Sequence, residues 1–273
     1  MKRTCLLIVC ALSTSAHSFS QGKVQLKLDL AEGKTLKYES TSAMKYEGNA
    51  MLEGMNQTTM MQMILKTGKK TPKGITVTTS LANIKVVAPG STQLEETMNS
   101  SMKSLQDAKM TAIYDSTGKC YDVKTTGGGE YGQMMSGLSG LNAGFLGMTY
   151  PKAPVSIGSK WTAEVDIQKV MGSMAGLKVK KPLTVNYSLK AIQALNGKQV
   201  AVVSISINEK LTMDSPEEAG GQSMEMALTS TGEAVCDVAT GTLISLVQKV
   251  KNEVEMPGGK FAVNIDQSTK LAK

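Results

Sequence analysis

The chain has 273 residues, a formal net charge of +7, 41% hydrophobic residues, 4% aromatics and a single histidine. That histidine, His17, and the only arginine, Arg3, both fall in the N-terminal leader described next. A chain left with lysines, carboxylates and hydroxyls has no near-neutral base for Ser/His/Asp or Cys/His catalysis. It also has no guanidinium forks for base or phosphate readout, so neither histidine-based hydrolysis nor nucleic-acid binding is expected.

Lys2 and Arg3 precede an apolar run, residues 5–12, and a small polar stretch, residues 13–20. This order predicts a secretory signal peptide over residues 1–20, cleaved after Ala16, Ser18 or Ser20, with the last two preferred. The expected location is outside the cytoplasm, periplasmic or extracellular. The apolar run is far shorter than the about 20 residues a membrane-spanning helix needs, and no later segment approaches that length. Cys10 follows Val9 and sits too early for a lipidation site. Loss of the leader removes Lys2 and Arg3, taking the +7 charge down by two to +5. The remaining lysines are spread thinly, as on a solvated surface, with weak attraction to an anionic membrane as the one peripheral association they allow. Cys5 and Cys10 leave with the leader too. Cys120 and Cys236 remain, either as one disulfide or as two buried free thiols, because sequence does not set the separation of their Cα atoms.

Along the exported chain, Val24, Leu26, Leu28 and Leu30 alternate with polar residues, the period of a half-buried strand. Residues 35–46, 56–66 and 74–87 are rich in Thr, Tyr, Val and Ile between turn residues and read as long strands of a meander. Over residues 91–108, Leu94, Met98, Met102 and Leu105 recur at helical spacing, and Thr92 with Glu95 resembles a capping box. Strands over 110–114 and 120–124 flank a turn at 115–119. The triple glycine at Gly127 then opens a segment in which Met134, Leu138, Leu141 and Phe145 repeat every three or four residues. It predicts a loosely helical lid or connector, closed by Pro151 and Pro154.

The second half begins with a strand over 155–165 that holds Trp161. Asn196 and Gly197, between strands at 183–195 and 198–212, predict a hairpin with a type I′ turn. Residues 214–222 read as a loop, 224–229 and 234–238 as two strands, and Gly241 as a turn. In the last two strands Ile244, Leu246, Val250, Val254 and Met256 form one set, and Phe261, Val263, Ile265 and Leu271 another, each set lying on one sheet face. Each half also carries a turn beside a cysteine and aspartate strand, a weak internal repeat.

Cys120 and Cys236 lack the spacing of a zinc site, and the glycines at 127–129 lack the strand and helix context of a phosphate loop. Glu95 with Glu96, and Glu217 with Glu218, are adjacent carboxylates of the kind that solvate a helix start or a loop rather than cleave sugars. No catalytic residue, metal or cofactor is assigned. The most unusual feature is the methionine content, 19 residues. Met55, Met60, Met61 and Met63, with Met224 and Met226, read first as core filling, then as a soft-metal site, then as an adaptable apolar surface.

Residues 154–161, Pro-Val-Ser-Ile-Gly-Ser-Lys-Trp, carry a Pro-Val-x-x-Gly-x-x-Trp strand opening. In this the chain resembles a family of uncharacterised secreted bacterial proteins, where the motif follows a helical connector. The order of elements is also similar to the unclosed β-barrel of bacterial lipoprotein carriers. That resemblance implies a curved sheet cupping an apolar cavity, residues 127–150 as its lid, and ligand binding by analogy. The expected fold is therefore mainly β with a few helices: a large curved antiparallel sheet or unclosed β-barrel with helical lid segments. Residues 21–150 form its first half and 151–273 its second, packed as one domain. The expected function is non-enzymatic binding or carriage of a lipid or other apolar molecule, with Met134, Leu138, Leu141 and Phe145 as ligand contacts. The alternative is an envelope-associated structural or interaction protein with a filled core.

Overall fold

The computed structural model describes residues 22–48, 55–128, 146–167, 178–179, 181–214, 223–256 and 259–272. The first half is a meander of β1 (Thr35–Glu47), β2 (Gln57–Thr71), β3 (Gly74–Val87), β4 (Lys109–Tyr114) and β5 (Cys120–Thr126). The second comprises β6 (Lys160–Val165), the short β7 (Lys178–Val179), β8 (Leu183–Leu195), β9 (Lys198–Asp214), β10 (Ser223–Asp237), β11 (Leu243–Met256) and β12 (Gly259–Leu271). All twelve belong to one antiparallel sheet that does not close, in the order β5-β4-β3-β2-β1-β12-β11-β10-β9-β8-β6, with β7 beside β9. The halves join at the centre, where β1 pairs with β12 from Tyr38 opposite Leu271 to Glu47 opposite Ala262.

Period-two alternation gives each strand one inward face, and at one end of the sheet that face is fully buried. Tyr38, Leu65, Val77, Tyr187, Leu189, Val203, Ala234 and Leu243 meet there in one cluster. Two non-sheet segments plug this end. The N-terminal stretch crosses it as an extended strap: Val24 pairs with Val155 in an isolated bridge, and Leu28 N–H donates to Ser116 O and Asp29 N–H to Thr240 O, each at 2.8 Å. Leu26, Leu28 and Leu30 point inward and are buried, as their alternation predicts, but the strap bonds to turns rather than forming a ladder. Each such leucine contributes roughly 1.5–3 kcal/mol against about 1 kcal/mol for each backbone bond. The leucines hold the strap and the bonds set its register. The second segment joins the two sheet edges: Tyr150 N–H donates to Thr117 O (2.7 Å) beside β5, while Trp161 Nε1 of β6 donates to Thr149 O (2.7 Å). Edges that close together require a strongly curved sheet, concave toward the plug.

Two tyrosines, Tyr150 and Tyr187, fasten the plug and a third, Tyr38, ties β1 to β11 beneath it, each with its ring in the core and its hydroxyl on a backbone carbonyl. Tyr38 donates to Leu243 O (3.0 Å), Tyr150 to Gly241 O (2.6 Å) and Tyr187 to Gly147 O (3.1 Å).

Helix α1 (Thr92–Lys103), continued by a 3₁₀ turn (Ser104–Asp107), serves as an edge cover. β4 pairs with β3 only from Ile75 to Ser80, which leaves the rest of that β3 edge without a strand. There Asn99 takes the place of a strand: its Oδ1 accepts from Val86 N and its Nδ2 donates to Val86 O, both at 2.8 Å. Glu95 accepts from Ala88 N (3.1 Å). The N-cap is Ser91, whose hydroxyl accepts from Leu94 N, not Thr92; both are hydroxyl residues, and the helix begins one position earlier than the capping-box reading places it.

The predicted 74–87 strand and the 183–195 strand match β3 and β8, and the turn between β8 and β9 has positive φ at both Asn196 (51°) and Gly197 (77°). The segments 224–229 and 234–238, expected as two strands, are joined in the single strand β10, which ends at Asp237. Gly232 lies within the ladder between Gln248 and Ile205, at a position where a Cβ would sit 2.7 Å from Val247 O. A register shift between Val235 and Cys236 also turns Leu243, rather than Ile244, into the core.

Cys120 and Cys236 are free thiols. Cys236 is fully buried, its Sγ donating to Ala201 O at 3.7 Å, while Cys120 belongs to the edge strand β5 and contacts Tyr114. Of the two alternatives read from the sequence, the structure has the free thiols, on the separate strands β5 and β10. Burial pushes the Cys236 thiol up to about 12 and Tyr187 up to about 12; Tyr38, Tyr114 and Tyr150 are raised further for the same reason.

Three outcomes follow for the folded chain. Gly241 and Gly33 share a left-handed backbone, φ +66° and +69°, but a Cβ at Gly241 would lie 2.3 Å from Lys27 O whereas Gly33 faces open space. In urea unfolding, Gly33→Ala is expected to cost about 1 kcal/mol and Gly241→Ala roughly 2–4 kcal/mol, because only the second displaces the strap. In the native protein Cys236 is expected to resist a thiol reagent, and both Cys120 and Cys236 to react without reductant once unfolded. Finally, the buried thiol and tyrosines lose protons at lower pH in the unfolded chain than in the folded one. Stability is therefore expected to be fully present below about pH 9 and to fall as pH rises toward 12, measured by denaturant midpoints across that range.

Candidate apolar binding face

Beyond the plug the strands continue, and their inward side chains change from buried to half-buried. Because Tyr38 and Ser40 face the core, the even positions of β1 face inward, and the register carries that face across the sheet. One cross-strand row holds Met44 (β1), Ile265 (β12), Val250 (β11) and Ser230 (β10). The next holds Tyr46, Val263, Asn252 and Leu228, and the next Phe261, Val254, Met226 and Leu211. Apart from buried Ser230 and Leu211, these residues are all partly exposed. The opposite face at the same height is charged: Lys45 and Glu47, Lys249, Lys251, Glu253 and Glu255, Lys210 and Asp266 point outward. Lys251 pairs with Glu253 at 2.8 Å and holds its carboxyl below the usual range.

The concave face is thus an apolar surface carried by the central strands β1, β12, β11 and β10, with Leu211 and Met213 of β9 buried at its flank. Among these inward positions the one carboxylate is Glu209, which Lys181 pairs and holds below its ordinary range. Three inward methionines, Met44, Met61 and Met63, lie at different heights along β1 and β2, opposite Gln57, Ser40 and Tyr38. Met60 points to the other face. These three methionines therefore line a surface, and among the described residues no group of three His, Cys, Asp or Glu side chains converges for a metal.

The four ligand contacts predicted from sequence, Met134, Leu138, Leu141 and Phe145, lie outside the described residues, as does the leader. Met226 belongs to the methionines read as an adaptable apolar surface, but nothing in the sequence joins it to Met44 and Leu228, because their common face exists only once β1 pairs with β12. Val250, Val254, Phe261, Val263 and Ile265 were legible as a sheet face, without a sign of which way that face looks.

A polar recess of about 400 Å³ lies at the plugged end, lined by Lys73, Asp115, Tyr121 and Asp122. Its groups already serve one another: Lys73 pairs with Asp122 (3.3 Å), Tyr121 donates to Asp115 Oδ2 (3.2 Å), and Asp115 Oδ1 accepts from Thr117 N and Lys119 N to shape the turn. Among the described residues no helix is long and apolar enough to cross a membrane.

No protein-family model matches the chain, and no curated protein matches it in sequence. Among solved structures it is similar to one described as lipid–protein interactions in lipovitellin, with a TM-score of 0.49 and 10% identity over 90% of this chain and 26% of that one. The chain spans about a quarter of that protein's length.

Proposed function

We propose that this protein is exported and, without catalysis, binds or carries a lipid or another apolar ligand on the concave face of its open sheet. The observation that carries this is the change along single strands. β1, β10, β11 and β12 carry buried inward side chains at the plugged end, among them Tyr38, Ala234, Leu246 and Thr269, then present Met44, Met226, Leu228, Val250, Val254, Phe261, Val263 and Ile265 half-buried beyond it. A purely structural sheet gains by burying such residues at about 25 cal/mol per Å². A surface left half-covered yet apolar is suited to an occupant, and methionine side chains let it fit irregular shapes. The outward charges keep the other face solvated.

The test is a paired substitution. Fluorescence of N-phenyl-1-naphthylamine is expected to rise when it binds the full chain. Leu228→Asp, which puts an unpaired charge on the concave face, is expected to weaken that binding at least tenfold, or about 1.4 kcal/mol. Thr229→Asp, on the outward face, is expected to leave it unchanged. A wild-type chain that gives no signal, or variants with equal effects, would favour the alternative of an envelope interaction protein with a filled core.

A further inference from the structure

The concave face is not uniformly apolar. Just inside the half-buried rows lies a continuous polar row, read from the register: Thr59 (β2), Ser42 (β1), Gln267 (β12), Gln248 (β11) and Gly232 (β10). It crosses the seam between the two halves, and all five residues are half-buried. Beyond Gly232 the row turns apolar again through Ile205 and Tyr187 to Trp161, whose ring stacks on Tyr187 at 5.6 Å.

The hydrogen-bonding inventory of this region is incomplete. Ser40 and Thr269, one row deeper, satisfy each other at 3.1 Å, and Gln248 Nε2 donates to Ser230 Oγ at 2.8 Å. The Gln267 amide, with two donors and an acceptor, has no partner among the described residues. Nearer the open end, Gln57 Oε1 and Asn252 Oδ1 are inward-facing, shielded from solvent and unpartnered. Polar groups without protein partners in an apolar trough favour an occupant that can hydrogen-bond, and in the polar row the half-exposed Gln267 amide is the group open to meet it. None of the polar row, nor the rows on either side of it, contains a lysine or a carboxylate. An ionised head placed there would lose its hydration with no counter-charge.

The geometry points to a ligand class: an uncharged lipid whose hydroxyl, ester or amide head meets Gln267 and Ser42, while its apolar tail runs outward over Val250, Ile265, Val263 and Phe261. This rests on the apolar-ligand function proposed above and adds to it the head group and the direction of insertion. From Gln267 to Phe261 along β12 the trough extends about 20 Å at ~3.3 Å per residue, enough for a long acyl chain.

Displacement of bound N-phenyl-1-naphthylamine from the full chain separates the cases, with three competitors of equal tail: 1-monolauroylglycerol, laurate and dodecane. The monoacylglycerol is expected to compete at about tenfold lower concentration than either other. Gln267→Leu is expected to erase that preference while holding the probe's own affinity within about twofold. Ser42→Ala gives a second reading if the first variant does not fold by circular dichroism. A wild-type chain that prefers laurate, or treats the three alike, overturns the head-group assignment, as does a preference that survives in a folded variant. A wild-type chain that binds no probe overturns the apolar-ligand function itself, and the head group with it.

Discussion

The pairing of β1 with β12 is the constraint on which the rest of the molecule depends. Each half of the chain could form its own meander from local hairpins, but neither alone brings Met44 beside Ile265 or Ser42 beside Gln267. That contact joins residues more than two hundred positions apart, so its loop-closure entropy must be offset by what it assembles. The polar pair Ser40 and Thr269 sits inside this seam, where a one-residue slip would expose the apolar row and bury Lys45 and Asp266. Register and the candidate binding face therefore rest on the same strand pair.

Curvature comes from the opposite end. The 146–159 segment joins the β4–β5 turn to β6, and the strap and the tyrosine hydroxyls pack over the same core, so the sheet bends there. Gly241 marks the tightest point, since the strap's Lys27 carbonyl occupies the space a side chain would need. The result divides one set of strands into a packed half, which supplies stability, and a half-covered half, which can exchange contacts with something else. Asn99 completes the arrangement by closing the unpaired edge of β3 with a side-chain amide in place of a neighbouring strand.

Local chemistry made much of this fold readable from the residues. The Asn196 and Gly197 turn, the alternation of the last two strands and the helix at residues 92–103 each follow from a pattern that spans few positions. The misreadings share a different cause. Gly232 looks like a strand break until Val247 of the neighbouring strand is known to press against it, and Leu243 replaces Ile244 in the core only because of a register shift. The candidate site was less legible than the fold. Its apolar residues could be assigned to faces, but its polar row is distributed over five strands at residues 42, 59, 232, 248 and 267, with no spacing in sequence to announce it.

Native mass spectrometry of the full chain, as purified from the expressing cells and again after equilibration with a membrane lipid extract, addresses the central claim most directly. The expected result is a species heavier than the polypeptide by one small apolar molecule, lost on solvent extraction. A mass equal to the polypeptide alone under both conditions would contradict a ligand-binding role for the concave face.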